Sequence, residues 1–214
     1  MPVSIDECKR LLEYRATKSG FNGNLSPAQF NLIWNRAQQR FFNQLYKSYG
    51  INQSNTDTLF RFKSDPISIT VDNTGKYVKP SDLLHIDSIT KTIGDEQYEI
   101  TRVGNDRLAS YLSSSYDAPT DKSPIYVEYS AYLQFYPIDI TPVNLVYLKE
   151  PIDALWNYTL VSGRPVYDAG TSVQTQFDAS DVDEIIALCG VDLGINMRDS
   201  LIIQTQDKLA KENQ

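Results

Sequence analysis

Residues 125–156 read IYVEYSAYLQFYPIDITPVNLVYLKEPIDALW, and the spacing of apolar side chains within them decides what kind of fold this chain can adopt. Ile125, Val127, Tyr129, Ala131, Leu133 and Phe135 fall on one side, and Tyr126, Glu128, Ser130, Tyr132, Gln134 and Tyr136 on the other. That period of two predicts one strand with a buried face and a wet or partner-facing face, because successive side chains of a strand point to opposite sides. Pro137 and Pro142 bracket a short connection, since proline fixes its own φ and cannot donate to a ladder. Residues 143–148 are too short for a globular helix and predict a second strand returning against the first, with Pro151 ending it.

Working outward, 214 residues with 41% hydrophobic content can bury a core, and one domain carrying a long appendage is expected. A formal charge of −7 argues against a surface that grips nucleic acid, which needs clustered Lys and Arg to displace counterions. The two cysteines, Cys8 and Cys189, are expected as small buried hydrophobes on helices, with no redox or metal role. The first residues lack the basic-then-apolar run of a signal peptide and no stretch approaches membrane-spanning length, so synthesis and retention in the cytosol are expected.

In chain order, Ser4 and Glu7 form a capping-box pattern that opens a first helix. Leu25-Ser26-Pro27-Ala28-Gln29-Phe30 opens a second, with Ser26 as N-cap and Pro27 at the first helical position; Phe30, Ile33, Trp34, Ala37, Phe41 and Leu45 hold helical spacing as far as Gly50. A polar linker over 51–58 leads to short strands at 60–62 and 67–71, the latter in a hairpin turned by Asp72-Asn73-Thr74-Gly75. Residues 79–86 are expected to form a tight turn or single helical turn leading into a strand that ends at Thr92, with a further strand at 98–102 and a short helix at 105–112 with Asn105 as cap. Residues 162–176, rich in Gly, Ser, Thr and Gln, predict an extended arm or loop whose order needs a partner. Asp178 caps a C-terminal helix whose first-turn acids, Asp181, Asp183 and Glu184, suit the helix dipole better than a metal, and a further helical segment follows at about 199–211. The expected fold is α+β in a single domain 1–214: N-terminal helices over 1–50, a β-rich core over 58–156 forming a mainly antiparallel sheet or sandwich, the arm, and C-terminal helices over 178–214.

No pattern for chemistry emerges. There is no Gly-rich phosphate loop, no Cys/His ligand set and no Gly-x-Ser-x-Gly elbow. His85, the one histidine, has neither a partner ligand nor a placed nucleophile in sequence. Neither catalysis, nor a cofactor, nor a bound metal is therefore expected. What stands out is 14 tyrosines, many on the non-core side of predicted strands, where a large ring with a polar tip offers contact area.

The order of VKPSDLLHIDSI (78–89), QFYP (134–137), VNLVYLKEP (143–151) and LGINMRD (193–199), together with two opening helices and a C-terminal helix, resembles the head-to-tail connector proteins of tailed bacteriophages, in particular the neck-ring and portal-adaptor proteins of short-tailed and crAss-like phages. The resemblance implies a structural virion protein, assembled in the host cytoplasm as a homo-oligomeric ring, usually of twelve copies. Such a ring touches the portal protein and other neck or tail rings and lines the channel through which double-stranded DNA passes without specific binding, with no membrane partner and no catalysis. An acidic chain suits such a bore, because it does not hold phosphates.

The face holding Tyr147, Pro151, Leu155 and Trp156, with the C-terminal helix around Leu201 and Ile202, is the expected contact with neighbours or portal. Core of their own subunit is the equal alternative for Tyr147 and Trp156. Two other classes remain: a phage tail or host-surface carbohydrate-binding module, which would also display aromatic residues, and a hydrolase with two carboxyl groups about 5–9.5 Å apart.

Overall fold

A computed structural model describes residues 3–18 and 25–193. In chain order the elements are α1 (Ile5–Lys18), α2 (Pro27–Tyr46), α3 (Gln53–Leu59), β1 (Ile67–Ile69), β2 (Lys76–Val78), β3 (Leu83–Ile93), β4 (Glu96–Glu99) and β5 (Thr101–Arg102). Then come α4 (Asn105–Ser113), β6 (Ile125–Glu128), β7 (Tyr132–Tyr136), β8 (Val143–Lys149), β9 (Tyr158–Val161), β10 (Arg164–Tyr167) and α5 (Ala179–Asp192). The fold is α+β with mostly antiparallel sheets, as expected. The described residues form two compact units, one of those up to residue 58 with those from 151 on, the other of residues 59–150.

The β-rich unit holds two four-stranded sheets, ordered β1-β8-β3-β4 and β2-β7-β6-β5. One apolar cluster draws on both, including Ile69, Ile89, Tyr126, Leu133, Phe135, Val143, Leu145 and Tyr147. Several pairings differ from expectation. Residues 125–136 are two strands of one hairpin, with Ile125 opposite Tyr136 and Tyr126 opposite Phe135. Cross-strand partners share a face, so this register puts Tyr126 beside Phe135 in the cluster, ring centroids 6.0 Å apart, and turns Ile125 and Val127 to the other face. The period of two runs unbroken through the turn, which is why it reads as one strand. Nor does β8 return against this hairpin: it lies between β1 and β3 in the other sheet. The Asp72–Gly75 turn likewise joins strands of different sheets, since β1 pairs with β8 and β2 with β7. The 60–62 stretch is a 3₁₀ turn, and most of the expected polar linker is α3, its first turn capped by Asn52, whose Oδ1 accepts the Ser54 amide at 3.0 Å.

In the helical unit α1, α2 and α5 associate through buried apolar positions: Ile5, Cys8, Leu12 and Ala16 on α1, Phe30, Trp34, Ala37, Phe41 and Phe42 on α2, and Val182, Ile185, Ile186 and Cys189 on α5. Ser26 and Gln29 make the anticipated capping box on α2, and Asp178 and Asp181 make another on α5. Phe177, just before that cap, meets Phe41 edge-on at 5.5 Å. The helical segment expected beyond residue 193 lies outside the described residues. On α4 the cap is Gly104, and Asn105 is already helical.

Candidate functional site

Residues 152–156 run extended beside α2, and their backbone groups must find partners because a buried unpaired amide is costly. They find them on side-chain amides. Asn31 exchanges hydrogen bonds with the main chain of Trp156 (2.8 and 3.2 Å), Asn35 does the same with Ala154 (both 3.0 Å), and Gln38 donates to the Ile152 carbonyl (2.9 Å). The spacing works because four helical residues rise about 6 Å and two extended residues about 6.7 Å. One row of a helix thus acts as the neighbouring strand. Gln176 accepts the Ile152 amide and Gln174 the Ile5 amide, each at 2.8 Å, while Thr175 is buried against Gln38. The 162–176 segment is therefore ordered by its own unit and needs no partner for that.

The strap delivers Trp156 into an aromatic box. Its indole N–H donates to Asp6 at 3.0 Å, the Lys9 ammonium sits 4.8 Å from the ring centroid, and Tyr158 and Tyr167 flank it at 5.9 and 5.8 Å. Tyr158 and Tyr167 are the base pair of a two-stranded ribbon, β9 and β10, turned by Ser162 (φ 52°) and Gly163 (φ 76°). Positive φ at both central residues is the hairpin turn whose twist matches that of the strands. A lone hairpin is marginal in water, so the box supplies the anchor that the ribbon needs. Beyond it the ribbon is bare and apolar: Leu160 is 68% exposed, Val161 54% and Val166 46%.

Of the residues expected at a subunit or portal contact, Leu155 is 39% exposed and bridged to Val173, whereas Pro151 and Trp156 (5%) are buried within the helical unit. Tyr147 belongs to the β-rich unit, is 3% exposed, and donates its hydroxyl to Asp82 at 3.0 Å; burial, then that bond, pushes its phenol up to about 12. For Tyr147 and Trp156 the core alternative describes what is seen. Leu201 and Ile202 lie outside the described residues. The exposed ribbon went unread, although Tyr158-Thr159-Leu160-Val161 followed by Ser162-Gly163 carries both a β-rich run and turn residues.

The β-rich unit has two further features. A half-buried tyrosine face has Tyr129 and Tyr132 stacked at 4.8 Å, Tyr129 donating to Asn105 at 3.1 Å and the Lys76 ammonium 5.0 Å from the Tyr132 ring. A cleft of about 430 Å³ is lined by Leu84, His85, Ile86, Arg102, Tyr126 and Glu128. Glu128 there is held by Lys79 (3.1 Å) and Arg102 (3.0 Å), and no hydroxyl of Ser or Thr and no thiol joins the lining. The first-turn acids of α5 are used internally, Asp181 in the cap and Asp183 against Arg15. Among the described residues no group of three His, Cys, Asp or Glu could hold a metal, and no helix is long and apolar enough to cross a membrane. Comparison with models of protein families and with curated protein sequences finds no match.

Proposed function

We propose that this chain is a structural subunit of a ring in the head-to-tail connector of a tailed bacteriophage, set between portal and tail around the path of the genome. The observation that carries the reading is the ribbon of β9 and β10: an exposed apolar element, held at its base by Trp156, Tyr158 and Tyr167, with nothing among the described residues to cover Leu160 and Val161. Apolar surface presented on a fixed mount marks a protein–protein contact. In a closed ring the same pair of surfaces recurs between every two neighbours, so one such element per subunit serves the whole assembly. A net charge of −7 keeps the ring from holding passing duplex DNA.

Electron microscopy of the purified full chain, alone and with a portal protein, tests this. Closed rings with an axial bore are expected. A monomer that neither closes into rings nor joins a portal contradicts the proposal. A sugar-binding module is the second reading, favoured by the Tyr129 and Tyr132 stack and the Val78 side chain, 76% exposed, on the strand beside it. It predicts glycan binding by the isolated chain that Tyr132→Ala abolishes.

A further inference from the structure

The ribbon has two outer edges, and they are not equivalent. In an antiparallel ladder alternate residues bond across the pair while those between direct their N–H and C=O outward. Asp168 donates to the Asn157 carbonyl at 3.0 Å, so the bonded pairs continue at Thr159 with Val166 and Val161 with Arg164. The outward positions are therefore Tyr158 and Leu160 on β9, and Pro165 and Tyr167 on β10. Pro165 has no N–H, which blunts the β10 edge against strand addition. On β9 the Tyr158 amide is taken by its neighbour Asn157 at 3.0 Å, while Leu160 presents both of its backbone groups on an edge without a charged residue. Among the described residues nothing pairs with the β9 edge.

The other free sheet edges among the described residues narrow the choice of partner strand. Those of β1 and β5 are three and two residues long. That of β2 is occupied, since Lys76 exchanges bonds with Asp72 (2.9 Å to its carbonyl, 2.8 Å from its amide). The edge of β4 matches β9 at four residues, and by the Ile100 to Ile89 bond its outward positions are Gln97 and Glu99. It is also acidic, with Asp95, Glu96 and Glu99 exposed, whereas Arg164 is the one charge in residues 158–167.

Resting on the ring reading, we propose that the β9 edge of one copy pairs with the β4 edge of the next copy, extending the neighbour's sheet across the subunit boundary, with Arg164 complementing the acids around β4. Main-chain bonds supply affinity in such strand addition and side chains supply register. Because the two surfaces differ, the contact is head-to-tail, the kind that closes into rings.

Sedimentation velocity on the full chain over a concentration series tests it. The wild-type chain is expected to assemble. Leu160→Pro removes an outward N–H that makes no bond across the ribbon, and with it the exposed leucine side chain, and is expected to leave a monomer with a thermal melt close to that of the wild-type chain. Arg164→Glu is expected to weaken association about fivefold, the scale of an exposed ion pair, with recovery in Arg164→Glu combined with Glu99→Lys. Leu160→Pro assembling like the wild-type chain overturns the strand pairing and leaves the ring reading standing. Failure of Glu99→Lys to restore the Arg164→Glu chain overturns β4 as the partner. A wild-type chain that stays monomeric at every concentration, alone and with a portal protein, overturns both readings.

Discussion

Cys8 and Cys189 sit fully buried on α1 and α5, and burial pushes both thiols up to about 12. In the folded chain neither is expected to react with a thiol reagent at pH 8, and both should react once urea unfolds it. The same shifts set a pH dependence. The folded state keeps protons that an unfolded thiol releases near 8.5 and an unfolded phenol near 10, so this stabilisation is complete below about pH 8.5 and is lost as pH rises toward 12. Tyr147 adds to it, so urea midpoints should fall steadily above pH 8.5, and less so in Tyr147→Phe. The amide ladder on α2 makes a sharper case. Asn35→Ala strands both backbone groups of Ala154, and unfolding in urea should show a loss of about 1–3 kcal/mol. That Cys8 and Cys189 are buried was legible from residue type. That Asn31, Asn35 and Gln38 would serve as a strand was not, because a polar helical row looks the same whether it meets water or a backbone.

Helices declared themselves where local chemistry is sufficient. Ser26-Pro27-Ala28-Gln29 contains the cap, the fixed φ and the returning side chain within four residues. Strands behaved otherwise. Alternation reports that a residue has two faces to choose between but not which strand lies alongside, and the Tyr129-Ser130-Ala131 turn preserves the alternation while exchanging the faces. Tyr126 therefore reads as wet and is core. The ribbon was missed for a related reason: its turn residues blend with the Gly/Ser-rich stretch that follows, and its anchors, Asp6 and Lys9, are distant in sequence. Trp156→Ala should cost about 3–5 kcal/mol in urea unfolding. Hydrogen exchange in that variant should rise first in residues 158–167, since the hairpin loses its base while α2 keeps its own capping box.

At the scale of the whole molecule, one strand-rich unit interrupts the sequence of a helical one, and Pro151 marks the return from the first to the second. The fold class was legible, because helical and alternating periods occupy separate blocks of sequence. The block boundary near residue 58 was legible in the polar linker; that the chain from Pro151 on joins the N-terminal helices in one unit was not, since that pairing rests on contacts between residues distant in sequence. The acidic balance predicts that duplex DNA is not retained at physiological salt, and a filter-binding assay should find no saturable binding. Among the described residues nothing covers the apolar ribbon, and repetition of the chain is the proposed source of that cover. Native mass spectrometry of the full chain addresses that most directly. The account predicts a single closed stoichiometry that persists on dilution and disappears in Leu160→Pro. A monomer at every concentration, with or without a portal protein, would contradict it.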